Sequence, residues 1–137
     1  MNIALVAHDK RKELMVEFCI AYSGILRKHD LFATSATGTC VEEATGLVVT
    51  KFLSGSQGGD QQICARIAYN EIDLVLFFND PISKHSSEAD IMPLIMACDA
   101  NNVPIATNVA TAEVLIMGLE RGDLGWRDIL RQTNKGA

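Results

Sequence analysis

The sequence has little of what marks the specialised classes of protein. Its 137 residues include only 3 prolines and 10 glycines, which excludes a collagen-like or proline-rich chain. Because 48% of the residues are hydrophobic, the chain can bury a substantial core, and a disordered chain is excluded. The length fits one domain, and we expect residues 1–137 to form it.

Cysteines are few and are not paired in sequence. The four stand at Cys19, Cys40, Cys64 and Cys98, with no CxxC pair among them. A zinc site draws its ligands from close pairs, and no two histidines have the spacing of one helix face, so no metal site is expected. Cysteines among apolar or small neighbours are typical of buried free thiols, which predicts a reducing, cytoplasmic location.

A long apolar run and a run of basic residues are missing too. No apolar stretch reaches the roughly 20 residues of a membrane span or has the form of a signal peptide. With 12 Lys and Arg against 17 Asp and Glu, the formal charge is −5. A mildly acidic chain of this kind is not expected to bind nucleic acid or a membrane.

Five short apolar runs alternate with segments of helical periodicity. The runs cover residues 3–7, 31–34, 48–53, 72–78 and 103–107, and helical spacing occurs at 14–26, 61–70, 90–101 and 111–121. The run 72–78 is nearly continuous, which is typical of a strand covered on both faces. Strands that alternate with helices predict an α/β fold, a single three-layer domain with a five-stranded, mostly parallel sheet. Residues 122–137 form a C-terminal tail with a short helix, whose packing on this domain or on a neighbour stays open.

Polar and ionisable residues follow each predicted strand. In an open parallel sheet, ligands bind beyond the carboxyl ends of the strands, where helices begin. Two of these loops, residues 34–38 and 54–55, offer hydroxyl groups and uncrowded backbone N–H groups that suit a phosphate. Lys12 stands one helical turn after His8 and would add a positive charge. The alternative for these residues is ordinary helix capping and a solvated lysine.

Four aspartates are expected at the same edge of the sheet: Asp9, Asp60, Asp80 and Asp90. Crowded carboxylates raise one another's pKa, so that one can act as a base while another holds a proton. Asp60 follows paired glycines, which allow a close approach of the backbone. These residues predict a proton-transfer site, and four surface aspartates on a solvated sheet edge are the alternative.

Several of these residues belong to longer motifs. The motifs are Ala7-His8-Asp9 with Lys12, Ala33-Thr34-Ser35-Ala36-Thr37-Gly38, Leu53-Ser54-Gly55, Gly58-Gly59-Asp60-Gln61-Gln62, Phe77-Phe78-Asn79-Asp80-Pro81 and residues 104–112. In order and spacing they resemble the methylglyoxal synthase family over about residues 2–121. The resemblance implies a lyase that converts dihydroxyacetone phosphate to methylglyoxal and inorganic phosphate, without a metal or organic cofactor. It also implies a homohexamer that is regulated by phosphate.

The resemblance assigns a role to each site residue. Asp60 matches the catalytic base, and Asp9, Asp80 and Asp90 match the other active-site carboxylates. The implied substrate-binding residues are His8, Lys12, Thr34, Ser35, Ala36, Thr37, Ser54, Gly55 and Ser87. Among them, Lys12 with Thr34 and Thr37 would hold the phosphate group.

The chain departs from the family pattern at three of these positions. Ser35 stands where the family has glycine, and Ala36 lacks a hydroxyl that would contact phosphate. One charge-assisted hydrogen bond contributes about 1.5–3 kcal/mol, so weaker substrate binding is expected. Ser87 stands at the family position of a histidine that moves protons between the enediolate oxygens, and His85 is the nearby residue with a suitable side chain. If His85 does not reach the site, acid–base assistance of roughly 10²–10⁴-fold is lost.

Two alternatives to this lyase come from the same sequence. A similar architecture serves as a regulatory, ligand-binding domain of large carbamoyl phosphate synthetases, which implies a phosphate-ligand-binding domain with little or no catalysis. An enzyme that acts on another small phosphorylated sugar is the second alternative. The complete set of four aspartates favours the enzyme over the binding domain.

Overall fold

The structure is a computed structural model that describes residues 1–82 and 90–135. Its described strands are β1 (Asn2–Ala7), β2 (Asp30–Ala33), β3 (Val49–Lys51), β4 (Leu74–Phe78) and β5 (Ile105–Ala106). Its described α-helices are α1 (Lys12–Ala21), α2 (Ser23–Leu26), α3 (Ser35–Thr45), α4 (Gly59–Ala68), α5 (Ile91–Asn101), α6 (Val109–Arg121) and α7 (Gly125–Lys135). Two 3₁₀ turns, Asp9–Arg11 and Gly55–Gln57, precede α1 and α4.

The five strands form one sheet in the order β3-β2-β1-β4-β5, and every pairing is parallel. In the central strand, Leu5 pairs with Ala33 of β2 on one side and with Leu76 of β4 on the other. All five residues of β4 are buried, because helices cover both faces of the sheet. The predicted three-layer α/β fold with a five-stranded parallel sheet is therefore confirmed.

Two apolar cores lie on opposite faces of the sheet. On one face, α1, α3 and α6 bury side chains such as Phe18, Val41 and Ile116 against the sheet. On the other face, α4 and α5 bury side chains such as Ile63 and Leu94. The helices that follow the strands therefore begin at the carboxyl edge of the sheet, and these are α1, α3, α4, α5 and α6.

The sequence did not predict every helix correctly. The periodic stripe over 14–26 is interrupted at Tyr22, so that it forms two helices, α1 and α2. The helix α3 was not predicted, because Val41 is the large apolar residue among its buried positions and the others are Thr37 and Gly38. The C-terminal helix α7 is 11 residues long, which is longer than the short helix expected from the sequence.

The helix α7 is attached to the amino edge of the sheet by a buried cluster of charges. Asp73, fully buried just before β4, accepts a hydrogen bond from Arg127 Nε at 3.0 Å and another from Arg131. The other Asp73 oxygen accepts from the backbone N–H of Asn2 at 2.8 Å. Burial raises the pKa of Asp73, but these hydrogen bonds outweigh it and hold the pKa below its usual range. We call Asp73, Arg127 and Arg131 the amino-edge cluster.

The four cysteines are free thiols. Burial raises the pKa of Cys19 and of Cys98 to about 12, so both are protonated at neutral pH. In the described part of the chain, no group of three or more His, Cys, Asp or Glu side chains is arranged to hold a metal ion. Among the helices of residues 1–82 and 90–135, none is long and apolar enough to cross a membrane.

Candidate active site

The centre of the sheet provides a crevice at the carboxyl edge. The chain leaves β1 toward β2 on one side, whereas β4 lies on the other side of β1. The loops after β1 and β4 therefore diverge, and such a switch point is where open parallel sheets bind ligands. His8 and Asp9 follow β1, and Asp80 follows β4 two residues after Phe78.

His8 and Asp80 are in direct contact across this crevice. The backbone N–H of Asp80 donates to His8 Nδ1 at 2.9 Å, and both residues are buried, at 7% and 5% exposure. The ring of Phe77 meets the imidazole edge-on with centroids 5.2 Å apart. Because Nδ1 accepts, this hydrogen bond assigns the ring proton of a neutral His8 to Nε2. The site therefore contains an imidazole of fixed orientation with an N–H donor at Nε2.

Asp9 and Lys12 form an ion pair at the first turn of α1. Lys12 Nζ lies 2.5 Å from Asp9 Oδ1 and donates to the carbonyl oxygen of Ala7 at 3.4 Å. The Lys12 side chain is 21% exposed and that of Asp9 74%. The partly buried ammonium is thus kept beside the end of β1, where it can neutralise an anionic ligand.

Thr34 and Thr37 are brought together at the start of α3. Their exposures are 6% and 1%, and Thr34 Oγ1 lies 3.5 Å from Thr37 Oγ1. Thr34 is the N-cap residue, yet its side chain makes no capping hydrogen bond. Ordinary capping, the alternative considered for this loop, does not explain Thr34. Ser35 and Ala36 occupy the first turn of α3 and are half-buried and exposed, respectively.

The loop before α4 depends on its glycines. Gly58 has φ of +99°, a left-handed conformation that favours glycine. A Cβ on Gly59 would lie 1.8 Å from the carbonyl oxygen of Leu53, so no larger residue fits without displacing the backbone. The side chain of Gln62 completes the loop by accepting from the backbone N–H of Leu53 at 2.8 Å.

This loop positions Asp60 in the first turn of α4. Gly58, not Asp60, is the N-cap residue, and a carboxylate oxygen of Asp60 accepts from the N–H of Gln61 at 3.0 Å. Ser54 precedes the 3₁₀ turn and Gly55 is its first residue. The carbonyl oxygen of Ser54 accepts from the N–H of Gly59 at 2.9 Å. The phosphate-type loop at 54–55 and the candidate base are therefore parts of one closely packed turn.

Asp90 lies at the start of α5 and caps it. Its side chain accepts from the backbone N–H of Met92 at 3.0 Å, and the residue is exposed. The capping alternative thus accounts for the contact of Asp90 that the structure gives. The predicted residues His85 and Ser87 lie outside the described residues.

Two groups of residues were missed by sequence reasoning. The first is the amino-edge cluster, for which Asp73 inside the apolar run 72–78 was a usable signal. The second is Arg11, Asn79 and Asn108, which follow predicted strands but were given no role, and which line a cavity of about 370 Å³ next to Asp80. The two asparagines stand directly after β4 and after Thr107 near the end of β5, the positions where ligand-binding residues are expected.

The parallel α/β chain contains an MGS-like domain. The family model with this description matches residues 14–107. The chain is 57% identical to "Methylglyoxal synthase" of Caldicellulosiruptor saccharolyticus over 138 residues, which covers 98% of each chain. It is 56% identical to the protein of that name from Geobacillus sp. (strain WCH70), over 96% of this chain and 94% of the relative.

A solved structure agrees with these sequence relatives. The crystal structure of methylglyoxal synthase from Elizabethkingia anophelis NUHP1 matches with a TM-score of 0.81 and 41% identity, covering 84% of this chain and 76% of that one. The chain belongs to the methylglyoxal synthase family. The predicted family and enzyme class, a lyase, are confirmed, and the binding-domain alternative is not favoured.

Proposed function

We propose that the protein converts dihydroxyacetone phosphate to methylglyoxal and inorganic phosphate, with Asp60 as the base. The observation that carries this proposal is the turn Gly58-Gly59-Asp60, because its backbone packing fixes where the carboxylate stands. Asp60 removes a proton from the carbon that bears the hydroxyl group, and the electron pair forms an enediolate. The C–O bond to phosphate then breaks on the other carbon, and the enol product takes up a proton to give methylglyoxal.

The role proposed for His8 is to stabilise the enediolate oxygen. A fixed N–H donor aimed at developing negative charge lowers the barrier without needing to reorganise during the reaction. The hydrogen bond from Asp80 to Nδ1 supports this role, since it leaves the proton of a neutral imidazole on Nε2. Asp80 thereby orients His8 through its backbone.

The phosphate group is assigned to the loops after β1, β2 and β3. Lys12 supplies positive charge, and Thr34 and Thr37 supply hydroxyl donors at the positive end of α3. Ser35, Ala36, Ser54 and Gly55 are the remaining substrate-binding positions of these loops, with Ser87 in the segment before α5. Because Ala36 brings no hydroxyl, we expect the phosphate to be held by fewer side-chain donors at this point.

The other three aspartates are assigned to setting the charge of the site and to proton transfer near the base Asp60. Asp9 is paired with Lys12, which supports a role in setting the charge at the phosphate end of the site. Asp80 and Asp90 border the segment that carries Ser87 and His85. We propose His85 as the proton shuttle, and Ser87→His is the variant that tests it: a large gain in kcat is expected only if His85 does not reach the substrate.

The lyase proposal is tested by the two products together. Purified protein is given dihydroxyacetone phosphate, and methylglyoxal and free phosphate are followed side by side. We expect equal amounts of both, and a kcat at least about 100-fold lower in Asp60→Asn, since a general base contributes roughly 10²–10⁴-fold. Asp99→Asn, an exposed aspartate on α5, is the control and should be as active as the wild type.

The opposite result would favour an alternative. Absence of turnover in the wild type, with inorganic phosphate still bound, would indicate a phosphate-ligand-binding domain. Turnover of a different phosphorylated sugar in the same assay would indicate the enzyme of altered specificity. Equal rates in Asp60→Asn and the wild type would remove Asp60 as the base.

We further infer a homohexamer, located in the cytoplasm, that neither binds nucleic acid nor inserts into membranes. Apolar side chains are exposed on two helices, with Trp126 and Leu130 on α7 and Met96 on α5 at 42%, 50% and 66%. Apolar side chains that adjoin one another on a surface mark protein–protein interfaces, and Trp126 and Leu130 stand one helical turn apart on α7. Light scattering after size-exclusion chromatography should give six times the 14.9 kDa of one chain. A mass of one chain would contradict the hexamer.

A further inference from the structure

The loop that leaves β3 connects two parts of the proposed active site. Ser54 and Gly55, proposed to bind the phosphate group, are in this loop, and Asp60, the proposed base, follows it on α4. We propose that Gln62 is a positioning residue of this site, whose side chain sets the position of the base relative to the phosphate group. The proposal rests on the proposed lyase function and extends it to a residue outside the predicted set of site residues.

On one side, the loop is attached to the sheet. The N–H of Phe52, just after β3, donates to the carbonyl oxygen of Ala33 at 2.8 Å. Ala33 is the last residue of β2 and directly precedes Thr34, one of the two threonines proposed to bind phosphate. The start of the loop therefore has a fixed position relative to the phosphate end of the site.

On the other side, the loop is attached to α4, and the side chain of Gln62 makes part of this attachment. Gln62 Oε1 accepts a hydrogen bond from the N–H of Leu53 at 2.8 Å, which is a normal length for such a bond. The carbonyl oxygen of Leu53 would lie 1.8 Å from a Cβ on Gly59, so it lies directly against the backbone of the first turn of α4. Leu53 is therefore held to α4 through both its N–H and its C=O group.

The hydrogen bond of Gln62 is the part of this attachment that depends on a side chain. The contact at Gly59 and the hydrogen bond from the Gly59 N–H to the carbonyl oxygen of Ser54 at 2.9 Å involve backbone atoms on both sides. Gln62 is exposed, so its side chain fills no part of the apolar core. We therefore expect a substitution of Gln62 to change the geometry of the loop and to leave the packing of the fold intact.

Loss of this hydrogen bond is expected to lower the rate rather than the affinity for substrate. The phosphate group would still be held by Lys12 and Thr34, which follow β1 and β2. The position of Asp60 relative to that group would change, and a displacement of about 1 Å at a reacting group costs roughly 100-fold in rate. A positioning role therefore predicts a lower kcat with a KM close to that of the wild type.

The test compares two substitutions of Gln62 that differ in one property. Gln62→Leu removes the acceptor and keeps a similar helix propensity, whereas Gln62→Glu keeps an oxygen that can accept from the N–H of Leu53. With dihydroxyacetone phosphate, Gln62→Leu should lower kcat about 10–100-fold and change KM by less than about threefold.

The conservative variant and a matched control complete the kinetic test. Gln62→Glu should return kcat to within about threefold of the wild type. Each kcat is taken at the maximum of its pH profile, because the added carboxylate changes the charge near Asp60. The control, Gln132→Leu, makes the same substitution at an exposed glutamine on α7 and should have the kcat and KM of the wild type.

Amide hydrogen exchange tests the attachment without reference to activity. In the ¹⁵N-labelled protein, the Leu53 N–H should exchange at least about tenfold faster in Gln62→Leu than in the wild type, because it loses its acceptor. In Gln62→Glu it should exchange at nearly the wild-type rate. Urea unfolding of the same samples shows that each variant is folded under the assay conditions.

Three results would overturn the proposal. The first is a wild-type kcat in Gln62→Leu when Asp60→Asn is inactive. The second is an equal loss of kcat in Gln62→Leu and Gln62→Glu, which would exclude the acceptor as the cause. The third is a Leu53 N–H that exchanges equally fast in the wild type and in Gln62→Leu. An inactive wild type with the expected exchange rates would refute the proposed lyase, whereas the attachment of the loop by Gln62 would be established.

Discussion

At the scale of single residues, the site is defined by which atoms already have partners. His8 Nδ1 accepts a hydrogen bond from the backbone N–H of Asp80, which fixes the orientation of the imidazole ring. Thr34, in contrast, is at a capping position without capping its helix. In both cases the hydrogen bonds support the proposed ligand-binding role, and sequence spacing alone does not supply this support.

The two nitrogens of His8 can be tested separately. The side-chain oxygen of His8→Asn can replace Nδ1 as acceptor for Asp80, whereas the amide nitrogen of His8→Gln can replace Nε2 as donor. We expect kcat to fall about 10²–10³-fold in His8→Asn, as for loss of one oxyanion donor, with nearly unchanged stability. His8→Gln should have a higher kcat than His8→Asn. Its free energy of unfolding should be about 1–3 kcal/mol lower than that of the wild type, because the buried Asp80 N–H is left unpaired.

The measurements are kcat and the free energy of unfolding in urea for the same protein samples. The proposed roles predict that His8→Asn has the lower kcat and that His8→Gln has the lower free energy of unfolding. If His8→Asn kept the full kcat, Nε2 would not act on the substrate.

At the scale of elements, the sequence predicted best where burial is continuous. The run that became β4 was identified because all five of its residues are apolar and buried. The helix α3 was missed because two of its three buried residues are a threonine and a glycine, so its sequence shows no periodic pattern of apolar residues. The polar residues at the start of α3 are also those of the candidate phosphate site. The residues that indicate a binding site there therefore replace the apolar residues that would have indicated a helix.

The turn before α4 is the element on which the candidate base depends. In Gly59→Ala the new Cβ would lie 1.8 Å from the carbonyl oxygen of Leu53, so the start of α4 must move. A displacement of about 1 Å at a reacting group costs roughly 100-fold in rate. We therefore expect kcat to fall by about that factor, measured with dihydroxyacetone phosphate.

A matched glycine provides the control for this turn. Gly24 lies in α2, and a Cβ there would meet no atom within 4 Å. Gly24→Ala should retain full activity. Its free energy of unfolding should rise by up to about 1 kcal/mol, because alanine has a higher helix propensity than glycine. Full activity in Gly59→Ala would show that the turn tolerates a side chain and that Asp60 is not held by it.

At the scale of the whole molecule, the two edges of the sheet have different tasks. The carboxyl edge carries the candidate site, and the amino edge carries the amino-edge cluster that attaches α7. The order of strands and loops in the sequence predicted the candidate site at the carboxyl edge, because every parallel strand ends at that edge. The second could not be derived in the same way, because the partners of Asp73 stand 54 and 58 residues later in the chain.

The amino-edge cluster makes stability depend on pH. Because the pKa of folded Asp73 is lowered, its ionised form favours the folded state. This contribution is present above the unfolded pKa of about 3.9 and is lost as the pH falls through the folded pKa. At pH 7, Asp73→Asn should lower the free energy of unfolding by about 3–5 kcal/mol, as when one partner of a buried ion pair is removed.

Urea unfolding from pH 7 to pH 3 checks this expectation. The difference between the wild type and Asp73→Asn should shrink below about pH 4, the range in which unfolded aspartate titrates. Asp123→Asn, which removes an exposed pair with Arg121, should change stability by at most about 1 kcal/mol. A difference that stays constant over the whole range would show that the charge of Asp73 does not stabilise the fold.

The position of Asp73 also sets an order of events during synthesis. The ribosome adds Arg127 54 residues after Asp73, so β1 and β4 are both synthesised before either arginine of the amino-edge cluster. Until then, the carboxylate of Asp73 has neither arginine to neutralise it at the amino edge of the sheet. We therefore expect Asp73 to stay hydrated in the nascent chain. It becomes buried only after α7 has left the exit tunnel and both arginines can pair with it.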